Sequence, residues 1–265
     1  MYEYELTIIK LGGSVITDKN KKGLLRKSVL KRLAGEIATA KNKKKFKLII
    51  VHGAGSFGHP IAKQYRLNEG FLNNKSIEGF VKTKQSLNLL TSEVFKYFSE
   101  KVQCCLVQPA DIVLTSKDKI VHFDTKQISY LLDYDITPIL WGDVVFDIKK
   151  GFSILSGDKI VAYLAKKFKA DNVLFISDVE GVFDKNPKIY GDAKLIKVIN
   201  GNSLARIKTQ QTKNRIDVTG EMKGKLLAIK RGLENTDVAI VNGLVSSVVE
   251  NALLGKIKGT RFVFQ

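Results

Sequence analysis

Two apolar runs, each followed at once by a glycine-rich segment, constrain the fold of this chain most strongly. Leu6–Ile9 leads into Lys10–Ser14 (KLGGS), and the run KLIIV leads into the segment HGAGSFGHP, which ends at Pro60. Apolar runs of this length are typical of strands buried on both faces of a parallel sheet. Glycines just beyond such strands let backbone N–H groups approach a ligand, and those donors suit phosphate oxygens. The two segments therefore predict two phosphate sites side by side, as a kinase acting on a phosphorylated substrate would need.

Strand and helix patterns alternate along most of the chain. This βαβ order favours an α/β fold in which an open, largely parallel sheet is sandwiched between helices. The predicted strands are Leu6–Leu11, Leu48–His52, Cys104–Val107, Thr137–Leu140, Val173–Ser177 and Val238–Val241. The predicted helices are Ser28–Lys41, Ser76–Lys101, Thr125–Leu132, Asp158–Phe168, Lys223–Leu233 and Ser246–Leu254. Polar turns predict hairpins at Ile112–Phe123 and Val144–Leu155.

No low-complexity linker divides the 265 residues, of which only four are proline. We therefore expect one compact unit over residues 1–265, with two lobes that divide near Phe168. A substrate lobe would take about residues 1–168, and a nucleotide lobe about residues 169–265. The polar stretch Gly191–Arg215 is either a mobile loop near a bound nucleotide or a solvated surface connection.

Composition argues against several classes of protein. No apolar run approaches the roughly 20 residues of a membrane span, and Met1–Lys10 lacks the features of a signal peptide. The adjacent Cys104 and Cys105 would point to opposite faces of a strand, which predicts core thiols of a cytoplasmic protein rather than a disulfide. The net charge of +18 is spread along the chain without a nucleic-acid-binding motif. We expect no nucleic-acid or membrane partner, and we expect the charge to steer anionic substrates such as phosphates.

Two segments carry basic or acidic residues next to glycine. In Lys10–Lys19 (KLGGSVITDK) both lysines can face phosphates, although the segment is neither a Walker A loop nor a G-x-G-x-x-G fingerprint. In Ser156–Lys159 (SGDK) the pattern predicts a helix start with Asp158 as its N-cap.

Two later segments resemble these in composition. Asp178, Gly181 and Asp184 follow an apolar strand, and ligands bind beyond the carboxyl ends of parallel strands, although such a cluster is also typical of a turn. In Asp217–Lys225 (DVTGEMKGK) a helix would follow Gly220, with Lys225 in its first turn as a second grip on an anion.

The order of these five segments resembles the amino acid kinase family over essentially the whole chain. Within that family, HGAGSFGH, KLGGSVITDK, WGDV at Trp141–Val144 and SGD are similar to the branch that acts on a small isoprenoid monophosphate. The resemblance implies a phosphotransferase that uses ATP and Mg²⁺ to convert isopentenyl phosphate into isopentenyl diphosphate by direct in-line transfer. It places this reaction in a mevalonate route typical of archaea, and it points to a cytoplasmic homodimer.

The resemblance also implies roles for individual residues. The catalytic residues would be Lys10, Lys19, His59, Asp158 and Lys225. The residues that bind ATP would be Lys10, Leu11, Gly12, Gly13, Ser14, Gly55, Asp178, Gly181, Asp184, Glu221 and Lys225. The residues that bind the phosphorylated substrate would be Ala54, Gly55, His59 and Gly157, and no side chain is expected to bind a metal. Lys19 would stabilise the transferring phosphoryl group, and Asp158 would hold the lysines in place.

Three positions depart from the usual family pattern. Ala54 stands where a glycine is common, which is tolerable if only its amide is used. Lys159 replaces a second acid after the SGD motif and adds positive charge beside the site. Glu221 replaces a glycine near the ATP phosphates, where a carboxylate is unfavourable unless it points away or is offset by Lys223.

The chemistry implied needs charge neutralisation more than a general base, because a phosphate monoester is largely dianionic at neutral pH. An apolar pocket would hold the hydrocarbon tail. Its candidates are Phe80, Val81, Leu87 and Leu90, whose spacing is also that of core residues. The alternatives are a fosfomycin kinase or another small phosphate or phosphonate kinase of the same fold, a nucleotide-binding regulatory protein without turnover, and, on charge alone, a nucleic-acid binder.

Overall fold

The structure, a computed structural model, describes residues 4–21, 23–187, 189–200, 220–233 and 236–264. In chain order the strands are β1 (Leu6–Leu11), β2 (Lys47–His52), β3 (Cys104–Leu106), β4 (Val113–Ser116), β5 (Lys119–Phe123), β6 (Thr137–Trp141), β7 (Asp143–Asp147), β8 (Gly151–Leu155), β9 (Asn172–Ser177), β10 (Val198–Asn200), β11 (Asp237–Asn242) and β12 (Gly259–Val263). The helices are α1 (Gly13–Ile16), α2 (Lys27–Lys43), α3 (Gly55–Gln64), α4 (Asn74–Ser99), α5 (Pro109–Ile112), α6 (Lys126–Asp133), α7 (Gly157–Phe168), α8 (Gly220–Gly232) and α9 (Val248–Leu253).

Within the described ranges, the main sheet has the strand order β10-β12-β11-β9-β1-β2-β6-β3. All neighbours pair in parallel except β11 and β12, which are antiparallel. The predicted open and largely parallel sheet is therefore confirmed. Because β1 pairs with β9 on one side and β2 on the other, the loops after these three strands leave the same edge of the sheet, near its centre.

Alternate residues of the central strands are buried against opposite faces of the sheet. In β1, Leu6 and Ile8 pack with α6, α7 and α8, while Ile9 and Leu11 pack with α2, α4 and α9. This burial on both faces explains why the strands are mostly apolar instead of alternating between apolar and polar residues. Lys10 has the parity of Leu6 and Ile8, so its side chain lies on the face that α7 and α8 cover.

A second sheet, of order β5-β4-β7-β8, consists of the two predicted hairpins. The carboxylate of Asp147 joins them, because it accepts N–H groups from Lys117 and Asp118 in one turn and from Lys149 and Lys150 in the other, at 3.0–3.1 Å. Burial alone would raise the pKa of Asp147, but these donors hold that pKa well below the usual range of an aspartate. The two turns are thereby fixed to one another.

The predicted strands and helices recur with ends shifted by a few residues, but several elements were not predicted. Strand β10 lies at one edge of the main sheet and β12 lies beside it, and both are short strands with alternating burial. Helices α1 and α5 have four residues each. Of the stretch predicted as a loop or surface connection, residues 191–200 are described and include β10, while residues 201–215 lie outside the described residues. Cys104 and Cys105 are free thiols, and burial raises the pKa of Cys104 to about 11.

Candidate active site

The two glycine-rich loops meet at the carboxyl ends of β1 and β2. The Gly53 N–H donates to the Leu11 carbonyl at 2.9 Å. A Cβ atom at Gly13 would lie 2.5 Å from the Gly55 nitrogen, and one at Gly53 would lie 2.8 Å from the Gly13 nitrogen. The backbones therefore pack directly against each other, and a side chain at either glycine would force them apart.

Helix α3 begins inside the second glycine loop. This helix is not among the predicted ones: it starts at Gly55, whose φ of +50° only glycine adopts readily. The Thr17 hydroxyl donates to the Gly13 carbonyl at 2.7 Å and accepts the Ser56 N–H at 3.0 Å, which ties the helix start to the first loop. The amides at this N-terminus favour an anion in front of the helix.

A buried ion pair joins the first strand to the start of α7. Lys10 Nζ lies 3.2 Å from Asp158 Oδ1, and both side chains are largely buried. Within the described part of the chain Asp158 Oδ1 has no hydrogen-bond partner, so the pair is an ionic contact without an aligned hydrogen bond. A Cβ atom at Gly224 would lie 3.2 Å from Asp158 Oδ2. Asp158 therefore lies between Lys10 and Gly224 of α8.

Two details of helix position differ from the sequence prediction. The N-cap of α7 is Ser156, whose hydroxyl accepts the Lys159 N–H at 3.3 Å, and not Asp158. Serine is as good a cap as aspartate, and this choice leaves the Asp158 carboxylate in the first turn to face Lys10. Lys225 lies in the second turn of α8 rather than the first, because the helix starts at Gly220. Its side chain is buried.

A second cluster lies between the first glycine loop and the end of β9. The Ser14 hydroxyl donates to Asp178 Oδ1 at 3.0 Å, and Lys19 Nζ lies 3.4 Å from Asp178 Oδ2. The Gly12 N–H donates to the Ile176 carbonyl at 2.8 Å, which holds the loop against this strand. The structure thus brings Ser14, Lys19 and Asp178 together.

The turn after Asp178 lies elsewhere. A Cβ atom at Gly181 would lie 2.9 Å from the Thr260 nitrogen of β12, and the Asp184 carboxylate accepts the Lys194 N–H at 2.8 Å. Both contacts belong to the local packing of this turn. In the structure, Gly181 and Asp184 therefore have the turn role that the sequence left open, and neither lines the cavity described next.

A cavity of about 310 Å³ opens in front of the two loops. The predicted residues that line it are Lys10, Gly13, Ala54, His59, Gly157, Asp158 and Lys225. The predicted residues that do not line it are Leu11, Gly12, Ser14, Lys19, Gly55, Asp178, Gly181 and Asp184. The side chains of Glu221 and Lys223 lie outside the described residues. The lining therefore contains basic side chains, the Asp158 carboxylate and the N-cap of α3.

The remaining wall of the cavity is largely apolar. Its apolar side chains are Ala62, Leu87, Val144, Ile154 and Leu155. Of the four apolar candidates on α4, only Leu87 lines the cavity, whereas Phe80 packs against Phe146 and Phe152 with ring centroids 5.6 and 5.4 Å away. Leu90 is in the core and Val81 is exposed. The cavity can therefore hold a molecule with an anionic head and an apolar tail.

An ion pair that sequence reasoning missed also borders the cavity. Asp143, at the start of β7, is buried in the cavity wall, and Lys84 Nζ of α4 lies 2.6 Å from its Oδ2 atom. Burial raises the pKa of Asp143, and Lys84 opposes that rise. The WGDV segment contains this aspartate, but nothing in the sequence indicates that its partner is a lysine on α4.

Lys159, which replaces a family acid, points toward the hairpins. Its Nζ atom donates to the Asp118 carbonyl at 2.9 Å, and Lys159 does not line the cavity. Lys150 Nζ binds the Asp118 carboxylate at 2.9 and 3.0 Å. The two lysines attach the turn that contains Asp118 to α7 and to the turn before β8, so the added charge of Lys159 is used in this attachment.

Comparisons with known proteins place this geometry in context. The profile of the amino acid kinase family matches residues 5–242. The isopentenyl phosphate kinase of Methanocaldococcus jannaschii is 37% identical over 270 residues, an alignment that covers 98% of this chain and 99% of that protein. The isopentenyl phosphate kinase of Methanothermobacter thermautotrophicus is 35% identical, covering 97% of this chain and 98% of that protein.

The fold comparison gives the same relationship. A solved structure of isopentenyl phosphate kinase superposes with a TM-score of 0.83 at 31% sequence identity, and the match covers 97% of this chain and 100% of that one. None of the helices in the described ranges combines the length and apolar character that a membrane span requires. From the family match over residues 5–242 and from relatives that align along nearly their full length, the chain belongs to the amino acid kinase family.

Proposed function

We propose that this chain transfers the γ-phosphoryl group of ATP to isopentenyl phosphate and forms isopentenyl diphosphate and ADP. The observation that carries the proposal is the 310 Å³ cavity, whose lining contains both lysines with the start of α3 and several aliphatic side chains. A phosphate head suits the lysines and helix amides, and a short hydrocarbon tail suits the aliphatic side chains. The archaeal relatives named isopentenyl phosphate kinases support this substrate.

The residues around the phosphate act by charge and position. The attacking group is an oxygen of the substrate phosphate, which is already ionised at neutral pH, so no residue has to remove a proton. The new bond forms between this oxygen and the γ-phosphorus of ATP, while the bond from that phosphorus to the bridging oxygen of ADP breaks. Lys10, Lys225 and His59 line the cavity and offset the repulsion between the two anions. Asp158 holds the Lys10 ammonium group at 3.2 Å.

For the nucleotide, we propose a site between the first glycine loop and Asp178. The hydrogen bond from Ser14 to Asp178, together with the ion pair from Lys19, supports a shared pocket for the phosphates and the nucleoside. The Lys19 side chain is nearly half exposed and lies beside Asp178 in this proposed pocket. The turn that contains Gly181 and Asp184 would border the nucleoside.

The residues present fit an Mg²⁺ ion that enters with ATP. Among the described residues, no three histidine, cysteine, aspartate or glutamate side chains lie together as a metal site. Mg²⁺ retains water and is commonly held by substrate phosphates, so a protein cage is not needed. When bound, the ion neutralises the β- and γ-phosphate oxygens. Asp158 and Asp178 lie beside the proposed phosphate sites, and each of them already faces a lysine.

The lobes, assembly and location also remain proposals. Strands β1, β2, β3 and β6 precede residue 169 and form one half of the main sheet, which supports a substrate lobe there and a nucleotide lobe beyond it. A homodimer and a cytoplasmic location rest on the family resemblance and, for location, on the free thiols of Cys104 and Cys105. Sedimentation equilibrium would give the mass of the assembly directly.

The experiment that tests the proposed function is a substrate panel. ADP release would be measured with ATP and Mg²⁺ in the presence of isopentenyl phosphate, dimethylallyl phosphate, fosfomycin, uridylate, acetylglutamate or glutamate. We expect fast turnover only with the isoprenoid monophosphates. Turnover with fosfomycin or an amino acid instead would reassign the substrate, and no ADP release with any compound would favour a nucleotide-binding protein without catalysis.

Two alanine variants then test the site. Lys10→Ala should mainly lower kcat, because it removes a charge that faces the transferring group. His59→Ala should mainly raise the KM for isopentenyl phosphate, because His59 lies on α3 and lines the cavity proposed to hold the substrate phosphate. Lys126→Ala, at an exposed position on α6, is the control and should match the wild type. Wild-type kinetics in both site variants would remove this assignment.

A further inference from the structure

A completely buried histidine lies directly behind the second glycine loop. His52 is the last residue of β2 and has no exposed surface. Its ring is stacked on Trp141 with the centroids 6.0 Å apart. Nδ1 lies 3.2 Å from the Gly53 carbonyl oxygen, and Nε2 lies 3.2 Å from the Thr91 hydroxyl. Both ring nitrogens therefore have partners, and one of these partners belongs to the loop that borders the cavity.

The partners determine which nitrogen carries the proton. A carbonyl oxygen can only accept, so Nδ1 must donate to Gly53. The Thr91 hydroxyl can then donate to the lone pair of Nε2. Burial of the ring, assisted by the positive charge of Lys10, lowers the pKa of His52 to about 4, although the hydrogen bond to Gly53 opposes this shift. The ring is therefore neutral at physiological pH. The structure thus assigns the Nδ1–H tautomer.

This hydrogen bond determines the direction of the neighbouring amide. In a trans peptide the carbonyl and the following N–H point in opposite directions, and none of the described peptides is cis. Because the Gly53 carbonyl faces the buried ring, the Ala54 N–H of the same peptide faces away from it. Ala54 lines the cavity and is the N-cap of α3, where amides have no partner inside the helix.

We propose that His52 is a positioning residue: its Nδ1–H holds the Gly53 carbonyl so that the Ala54 amide points into the cavity and binds an oxygen of the substrate phosphate. The inference rests on the proposed function for the identity of that phosphate. The hydrogen bond itself does not depend on that function. His52 touches neither substrate nor nucleotide, and it acts only through the peptide that it orients.

The tautomer can be tested on the wild-type protein without any substrate. The chain has three histidines, so ¹⁵N-histidine labelling and long-range ¹H–¹⁵N spectra give a small set of signals that single substitutions can assign. We expect the His52 ring to remain the Nδ1–H tautomer between pH 5 and 9. If the His52 ring is protonated on Nε2 instead, or titrates near neutrality, the inference is overturned. This result does not depend on whether isopentenyl phosphate is a substrate.

Kinetic variants test the consequence for binding. His52→Leu removes the donor and should raise the KM for isopentenyl phosphate about tenfold, with a smaller change in kcat. His52→Asn places an amide N–H near the position of Nδ1 and should restore most of that loss. Trp141→Phe is the matched control, because it disturbs the packing of His52 but keeps the hydrogen bond, and its KM should be that of the wild type.

The outcomes separate the two proposals. A wild-type KM in His52→Leu, or equal KM values in the leucine and asparagine variants, would contradict the positioning role. If Trp141→Phe raised the KM as much as His52→Leu does, packing alone would be responsible, and this would also contradict the positioning role. If the wild type does not turn over isopentenyl phosphate while the Nδ1–H tautomer is observed, the proposed function fails and the hydrogen bond stands. If His52→Leu does not fold, the spectra of the wild type still decide.

Discussion

Replacing Gly13 by alanine tests whether the two glycine loops must touch for the site to form. The added Cβ would lie 2.5 Å from the Gly55 nitrogen and 2.6 Å from the Gly55 Cα. Both are backbone atoms, so no side-chain rotation relieves the overlap. An ordinary contact begins near 3.4 Å, so the loops would have to separate by about 0.9 Å. Gly13 is not in the left-handed region, so the effect comes from space alone.

The size of the effect follows from this displacement. Overpacking a close contact costs roughly 1–3 kcal/mol of unfolding free energy. A shift of nearly 1 Å also moves the amides of one loop relative to Lys10 and the other loop. Misplacement by about 1 Å can lower a rate by roughly 100-fold. We therefore expect Gly13→Ala to lower kcat/KM by this order while the protein still folds.

The assays are urea denaturation and ADP-release kinetics with isopentenyl phosphate. Gly35→Ala is the matched control, because Gly35 lies inside α2 and a Cβ there meets no atom within 4 Å. This control should keep wild-type kinetics and gain up to about 1 kcal/mol of stability, since alanine restricts the unfolded chain. If Gly13→Ala retained both wild-type kcat/KM and the wild-type denaturation midpoint, direct packing of the loops could not be what shapes the site.

Three further predictions concern residues that support the fold. Glu36→Gln should lower the free energy of unfolding by roughly 1–3 kcal/mol in urea, because the buried carboxylate accepts N–H groups at the start of α9, including that of Ser247 at 2.9 Å. Asp147→Asn should cost a similar roughly 1–3 kcal/mol at pH 7, by loss of charge-assisted hydrogen bonds. Because folding lowers the pKa of Asp147, its carboxylate stabilises the protein above the unfolded-state pKa of about 4, and this stabilisation is lost as the pH falls below that value. The difference in unfolding free energy between Asp147→Asn and the wild type should therefore shrink in acid denaturation profiles. Lys159→Met should lower stability by about 0.5–1.5 kcal/mol through loss of its hydrogen bond to Asp118, yet leave the KM for ATP within twofold of the wild type; a large rise in that KM would place Lys159 in the nucleotide site.

The fold was predictable because its strands are buried on both faces. Runs such as Leu6–Leu11 and Leu48–His52 have no polar alternation, and their order with amphipathic helices leaves few topologies. The sequence could not reveal α3, since three of the eight residues from Gly53 to Pro60 are glycines and the last is proline. In the structure those glycines permit the close approach of two loops, and the helix forms because tertiary contacts such as that of Thr17 hold its first turn.

The residues of the candidate site were predictable where they lie within a recognisable glycine-containing motif. Lys10, Ala54, His59, Asp158 and Lys225 come from segments far apart in the chain, and the structure brings all of them to one cavity. The Lys84 to Asp143 ion pair could not be predicted, because its members are 59 residues apart and the lysine lies on a helix without a motif.

His52 shows a different limit of sequence reasoning. His52 lies in the glycine-rich segment itself, but the tautomer and the burial of its ring depend on Thr91 and Trp141. Only folding brings these two residues to the ring.

The charged residues at the cavity and the net charge of the whole chain act on a substrate at different distances. At the cavity, Asp158 faces Lys10 and Lys84 faces Asp143, so the acids in the wall are each matched by a lysine and Lys225 adds further positive charge. That local arrangement, with the amides of α3, can discriminate a phosphate from a neutral group because it acts at hydrogen-bonding distance in a largely buried setting. The net charge of +18 acts over about one Debye length and cannot discriminate among anions, but it raises the rate at which they arrive. Neither the charges at the cavity nor the net charge distinguishes one phosphate monoester from another. The choice among these substrates therefore has to come from the apolar side chains that line the cavity.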